Sequence, residues 1–250
     1  MKALDVGLIG RGKWGSLIKK KLSNISNVRF VIGKKTKFDN LIKNHQVKWV
    51  FIATPNITHF KIVKKCLKLK TNVFCEKPLT TTHKSSKELF KIAKKNNLKL
   101  YVSDIYSFHK KKIFKLKKKN TIFRSKNVPG NNKEFLNRFM YHDLSILYKN
   151  IQNYKIKNIY FKKIKNKKIF KVNILFKNKK ELHFNYNLQM NQKKHCINNI
   201  NLISKDDILK KMLKNVIYKK INFKKNEKKA LFILKFIENL KKNYENRNLL

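Results

Sequence analysis

The chain of 250 residues is poor in the residues that punctuate a fold, with six glycines, three prolines and four alanines. So small a supply of Gly and Pro excludes a collagen-like or Pro/Gly-rich low-complexity protein. Cysteine occurs three times (Cys66, Cys75, Cys196), an odd set without metal-ligand spacing. That excludes a disulfide scaffold and a cysteine zinc site, leaves no metal expected, and fits a reducing cytoplasm. No apolar run approaches the ~18 residues of a membrane span, and the N-terminus enters an apolar strand at once, with no charged-then-apolar leader. The expectation is a cytoplasmic protein with no membrane partner.

Acid is scarce too: 13 acidic residues face 63 basic ones, for a formal net charge of +50. Such a balance ordinarily signals a nucleic-acid binder. Yet arginine, whose planar fork reads base edges and phosphates, occurs only as Arg11, Arg29, Arg124, Arg138 and Arg247; the other 58 basic residues are lysine. The abundant Phe, Ile, Asn, Tyr and Lys have AT-rich codons, and the scarce Gly, Pro and Ala have GC-rich ones. The charge therefore reads as lysine drift onto exposed positions in an AT-rich genome, with no specific nucleic-acid partner. A surface tuned to an anionic ligand and a basic nucleic-acid module stay as competing readings.

What is present is a hydrophobic fraction of 42%, enough for real cores in one large or two small domains. Up to about residue 105, strand-like and helical stretches alternate: strands at Leu4–Ile9, Val28–Ile32, Trp49–Ala53, Asn72–Cys75 and Leu100–Ser103, helices at Trp14–Leu22, Phe38–Lys43, His59–Leu69 and Ser85–Lys95, the last capped by a Thr of the 80–82 run. Strands alternating with helices mean βαβ units and a parallel sheet. Then the rhythm changes. Lys110–Lys119 reads as a helix or linker, Thr121–Arg124 as a short strand, 128–132 as a loop and Met140–Asn150 as a helix. Strand-like stretches follow at Ile156–Lys163, Lys168–Phe176, Glu181–Leu188 and Ile197–Ile203, and a helix at about 227–241 closes the chain. The fold class is α/β: a Rossmann doubly wound parallel sheet over 1–105, then an α+β domain with a mainly antiparallel sheet over 106–250.

Two signatures carry chemistry. Val6-Gly7-Leu8-Ile9-Gly10-Arg11-Gly12-Lys13-Trp14-Gly15 is an apolar strand running into G-x-G-x-x-G. A dinucleotide pyrophosphate sits almost on such a backbone: Gly10 makes the tight turn, Gly12 admits the phosphate and Gly15 lets the helix pack close. Lys13 and Trp14, in the same turn, join the cofactor-binding residues. Val73-Phe74-Cys75-Glu76-Lys77-Pro78 places an ammonium group at the carboxyl end of a parallel strand, where such sheets bind ligands. The end of the second strand reads Val31-Ile32-Gly33-Lys34-Lys35-Thr36. It lacks the carboxylate by which NAD enzymes hold the ribose hydroxyls, and Lys34 and Lys35 would suit a 2′-phosphate, so the cofactor is NADP or NAD with the lean toward NADP.

Together with Ala53-Thr54-Pro55-Asn56-Ile57-Thr58-His59 and Tyr141-His142-Asp143-Leu144-Ser145-Ile146-Leu147, these motifs resemble the Gfo/Idh/MocA family, in particular members from nucleotide-sugar and surface-polysaccharide pathways. The resemblance implies an NAD(P)-dependent oxidoreductase that moves a hydride between a nicotinamide cofactor and a sugar, nucleotide sugar or polyol, in a homo-oligomer. It implies cofactor contacts from Thr54, Pro55, Asn56, His59, Glu76 and Lys77. It makes Lys77 the catalytic lysine on the reacting oxygen and His142 its acid/base partner, and it places Tyr106 and Arg138 toward substrate. A neutral His142 would be favoured by a position at a helix start. The family has Asp where this chain has Arg138. Either the chemistry is rearranged, or Arg138 binds an anionic substrate group, or activity is impaired. The last case is a catalytically weakened cofactor-binding protein with a regulatory or assembly role.

Overall fold

The first strands are nearly continuous apolar runs because both faces of the sheet they form are covered. In the computed structural model, which describes residues 3–33, 38–109, 115–127, 136–164, 167–203 and 206–245, β1 (Asp5–Ile9), β2 (Asn27–Ile32), β3 (Trp49–Ile52), β4 (Asn72–Cys75) and β5 (Leu100–Val102) alternate with α1 (Lys13–Leu22), α2 (Asp39–Asn44), α3 (Asn56–Lys68) and α4 (His83–Lys95). The strands pair in parallel in the order β2-β1-β3-β4-β5. The chain leaves β1 toward one edge and returns through β3 toward the other, so the switch point lies at the carboxyl ends of β1 and β3, where such folds bind ligands. Thr82 caps α4, its Oγ1 accepting from Ser85 N at 3.2 Å.

The chain continues as β6 (Lys119–Ser125), a π-turn over Leu136–Met140, α5 (Tyr141–Ile151), β7 (Ile156–Lys163), β8 (Ile169–Phe176), β9 (Glu181–Asn187), β10 (Lys194–Ile197), β11 (Ile200–Asn201), α6 (Ile208–Ile217) and α7 (Phe223–Glu245). It divides into two compact units, Met1–Phe108 with Asp207–Lys235 and His109–Asp206 with Phe236–Leu250. The return of Asp207–Lys235 to the first unit differs from the two consecutive blocks suggested by the sequence. Its reason is the apolar face of α6: Leu209, Met212, Leu213, Val216 and Ile217 pack into one core with Val6, Leu8, Trp49, Phe51, Phe74 and Tyr101. Asn226 of α7 then completes the edge strand β5, its Oδ1 accepting from Val102 N and its Nδ2 donating to Val102 O, both at 2.9 Å.

In the second unit the described strands run β11-β10-β6-β9-β8-β7. Only β6 and β9 are parallel, so the sheet is mainly antiparallel as expected. Along β8 and β9 buried residues alternate with less buried ones, the period-2 signature of a sheet with one covered face. Two stretches differ from the sequence reading. Ile197–Ile203 is not one strand: Asn198 and Asn199 both take positive φ (46° and 66°) and turn the chain between β10 and β11, as a two-residue hairpin turn requires. The closing helix is longer than 227–241, running Phe223–Glu245; on its N-terminal side Phe223 packs against the core of the first unit and Asn226 is buried. The 128–132 loop and residues 110–114 of the lysine-rich segment lie outside the described residues.

Candidate functional site

The glycine corner is built by close backbone approach. Gly10 has φ +126°, and a Cβ there would stand 2.5 Å from Ala53 O; at Gly15 a Cβ would stand 2.0 Å from Gly10 O. Both positions bind β1, α1 and the loop after β3 into one tight corner that only glycine permits. Gly12 is different: a Cβ there meets nothing within 4 Å. Gly12 also caps α1 without a side chain, and the first turn of α1 carries no acid. The helix N-terminus, with its unspent N–H groups and positive dipole end, therefore opens onto free space, an arrangement suited to an anion. Lys13 is exposed beside it, and Trp14 is 40% exposed despite its size.

The ends of β3 and β4 meet this corner. Ala53 N donates to Ile9 O and Glu76 N to Ile52 O, which carries the strand register into the loops. Thr58 Oγ1 lies 2.8 Å from Thr54 Oγ1 and 2.7 Å from Pro55 O, folding the Thr54-Pro55-Asn56 turn onto the start of α3. His59 is buried, its Nδ1 2.9 Å from Pro78 O and its Nε2 2.8 Å from Thr54 O. Carbonyls only accept, so a neutral imidazole donates to one of them and an imidazolium to both. His59 thereby straps the loop of Thr54 to the loop of Lys77, and its ring is occupied by backbone. Lys77 is half-buried and precedes a cis Pro78. Glu76 is buried; its Oε2 accepts from Lys77 N at 3.2 Å, while its Oε1 has no partner among the described residues. Lys34 and Lys35 lie outside the described residues. Tyr106 sits in the short 3-10 turn Ile105–Phe108 after β5. Beside it, buried Asp104 is held by Lys229 Nζ at 2.6 Å.

Gly10, Gly12, Lys13, Trp14, Gly15, Thr54, Pro55, Asn56, His59, Glu76 and Lys77 are thus gathered at the carboxyl ends of β1, β3 and β4 in the first unit. His142 and Arg138 belong to the second. His142 is the second residue of α5, but the π-turn Leu136–Met140 runs directly into that helix. The upstream turn removes the free helix start on which a dipole argument for a neutral His142 would rest. Arg138 is exposed on the π-turn, its guanidinium 5.6 Å from the centroid of the Phe139 ring.

Sequence reasoning missed the neighbour of His142. Asp143 is fully buried, and three adjacent strands supply its partners: Arg124 Nη2 (2.7 Å) and His195 Nε2 (2.7 Å) at Oδ1, and Tyr186 Oη (2.8 Å) at Oδ2. The register places His195 beside Arg124 and Arg124 beside Tyr186, one row across β10, β6 and β9. Burial alone would raise the Asp143 pKa, but the charges and hydrogen bonds of Arg124 and His195 outweigh it and hold the carboxyl at about 2. Burial likewise lowers the pKa of His195, outweighing the pull of Asp143. A neutral His195 donating from Nε2 to Asp143 satisfies both directions. The available signals were the rarity of arginine and the period-2 pattern of the strands.

Comparison with known proteins agrees with this geometry. Residues 16–104 match the GFO_IDH_MocA model, described as an oxidoreductase family with an NAD-binding Rossmann fold. An uncharacterised oxidoreductase of Schizosaccharomyces pombe is 40% identical over 67 residues, 27% of this chain and 18% of that protein; the chain therefore aligns with under a fifth of that curated relative's length. In solved structures, UDP-N-acetylglucosamine 3-dehydrogenase GnnA from Acidithiobacillus ferrooxidans superposes with a TM-score of 0.80 at 15% identity, over 96% of this chain and 97% of that one. GenD2 from gentamicin A biosynthesis, in complex with NAD, gives a TM-score of 0.77 at 12% identity, over 95% and 93%. Identities this low speak for the shared fold. The residues present fit a dinucleotide: the open space over Gly12 at a helix N-terminus suits a pyrophosphate, and the unpartnered Oε1 of Glu76 suits a ribose hydroxyl. Residues 16–104, within the first unit, are thus similar to the NAD-binding Rossmann fold of this oxidoreductase family.

Proposed function

We propose that the protein is a cytoplasmic NAD(P)-dependent oxidoreductase acting on the CH–OH groups of a sugar, nucleotide sugar or polyol, working as a homo-oligomer. The observation that carries the cofactor half is the contrast within one motif: Gly10 and Gly15 are closed against backbone, while Gly12 stands over open space. The absence of a carboxylate after Ile32 supports NADP over NAD. The sugar half rests on the likeness of motifs and fold to nucleotide-sugar enzymes.

When bound, the nicotinamide supplies or takes up the hydride. The chain's own residues do the rest. The first-turn N–H groups of α1 hold the pyrophosphate, and Glu76 accepts from a ribose hydroxyl. Lys77 hydrogen-bonds the reacting oxygen and stabilises the charge that develops there, with His142 as its proposed acid/base partner. Lys77→Met is expected to lower kcat by about 10²-fold, within the range of lost acid/base or oxyanion help, and to leave cofactor affinity nearly unchanged. Steady-state kinetics over a panel of nucleotide sugars, sugar acids and polyols, with a parallel cofactor titration, checks this.

The second reading is a catalytically weakened cofactor-binding protein of the same fold, with a regulatory or assembly role. It is favoured by Arg138 at the family's Asp position. Asp143 does not replace that acid, since both its oxygens are engaged and its pKa sits at about 2. Cofactor binding by wild type without turnover anywhere on the panel selects this reading.

A further inference from the structure

We propose that Arg11 is the residue by which this chain selects a 2′-phosphorylated dinucleotide, so that NADP(H) binds in preference to NAD(H). The inference rests on the cofactor-binding reading above and deepens it. Arg11 is the variable residue between Gly10 and Gly12, yet its side chain leaves the phosphate corner and crosses to β2. There Nε and Nη2 donate to Val31 O at 3.1 and 2.9 Å. The carbonyl is available because β2 is the edge strand: Ile32 O turns inward to accept from Gly10 N, so the alternating Val31 O faces out. Gly33 comes next, and a Cβ built there would lie 3.6 Å from Arg11 Cδ. Gly33 itself puts no side chain against the Arg11 stem.

That strand end is where a Rossmann fold meets the adenosine ribose, with a carboxylate for a free 2′-hydroxyl and an arginine for a 2′-phosphate. Here the sequence from Val28 to Phe38 holds no Asp or Glu, and the group fixed at the strand end is a guanidinium. Its pairing state is the second observation. Arg29 is paired with Asp5 and Arg124 with Asp143, whereas Arg11 has no carboxylate partner among the described residues. A neutral carbonyl holds its geometry and leaves its charge uncompensated. Two of its five N–H groups are spent on Val31 O, and the remaining edge is a fork of the kind that takes phosphate through paired, charge-assisted hydrogen bonds. An arginine in this state repels no 2′-phosphate and offers nothing specific to a 2′-hydroxyl.

The test is fluorescence titration of NADPH and NADH against wild type, Arg11→Ala and Arg11→Lys at ~0.2 M salt, where non-specific attraction to a lysine-rich surface is largely screened. Lys91→Ala, an exposed lysine on α4, serves as the charge-matched control. Thermal melts of each variant confirm folding. Wild type is expected to bind NADPH at least tenfold more tightly than NADH. Arg11→Ala should weaken NADPH by about 10- to 100-fold, as for a lost hydrogen bond to a charged group, and leave NADH within about twofold. Arg11→Lys should fall between them, having charge without the fork, and Lys91→Ala should match wild type. Adenosine 2′,5′-bisphosphate should compete with NADPH better than AMP does, and lose that advantage in Arg11→Ala. Equal weakening of both dinucleotides in Arg11→Ala, or a wild type that prefers NADH, overturns the proposal while leaving cofactor binding intact. A folded wild type that binds neither dinucleotide overturns the cofactor reading itself.

Discussion

Gly12 and Gly15 stand three residues apart in one motif and are glycine for opposite reasons. At Gly15 a Cβ would be forced 2.0 Å from Gly10 O, whereas at Gly12 it would enter open space. Gly15→Ala is therefore expected to destabilise the fold by about 2–3 kcal/mol, the usual cost of overpacking a tight site. Gly12→Ala should stay within about 0.5 kcal/mol of wild type, as for a surface change. Urea midpoints of the two variants check the contrast. The corner was legible in the sequence because its three glycines lie within six residues and their spacing is itself the geometry. The setting of Asp143 was not. Its partners Arg124, Tyr186 and His195 lie 19, 43 and 52 residues away, and they converge only through strand register. His59 was noticed as part of a motif, but its strap to Pro78 O spans 19 residues and depends on where the Lys77 loop goes.

At the scale of elements, the shortage of glycine leaves a mark on the helix ends. The residue after the C-cap favours the left-handed conformation, which glycine adopts without strain. Here α2, α3, α4 and α6 place Gln46, Lys70, Asn97 and Lys219 there, with φ of 45°, 57°, 53° and 54°. A non-glycine residue in that region costs on the order of 1 kcal/mol. Lys70→Gly is thus expected to stabilise the first unit by about 0.5–1 kcal/mol, read as a raised urea midpoint. The opposite case is α5, which Asp143 clamps to three strands. Asp143→Ala removes the buried carboxylate that Arg124, His195 and Tyr186 share, and should cost about 3–5 kcal/mol, as for a broken buried ion pair.

The clamp also sets an acid dependence. The folded-state pKa of Asp143 lies at about 2 against the ordinary 3.8, so its contribution is complete above 3.8 and disappears as pH falls toward 2. His195 is held below its ordinary 6.5, so the unfolded chain takes up that proton first and stability begins to decline below about that pH. Thermal melts should show the gap between wild type and Asp143→Asn narrowing from pH 5 to pH 2; a constant gap contradicts the ion-pair account. Most elements were legible because parallel strands are short apolar runs and helices carry a longer period. α6 (Ile208–Ile217) was not read at all, and even an amphipathic face recognised there would not name the sheet it covers. The Asn198–Asn199 turn was hidden because two asparagines do there what Asn-Gly ordinarily does.

For the whole molecule, a charge of +50 and a Rossmann domain make competing claims on the same protein. Lysine is spread through the helices, loops and strands of both units, and the described ion pairs occupy few of them. A general attraction for polyanions follows from this charge and weakens steeply with salt. Binding through the glycine corner depends on shape and on one backbone position. Among the described residues no helix is long and apolar enough to cross a membrane. The most direct test is a titration of NADPH fluorescence at ~0.2 M salt against wild type and Gly12→Val. The account predicts saturable binding by wild type, loss of at least tenfold in affinity on placing a branched side chain in the open space over Gly12, and an unchanged melting temperature. Equal NADPH affinity in the two proteins would contradict it.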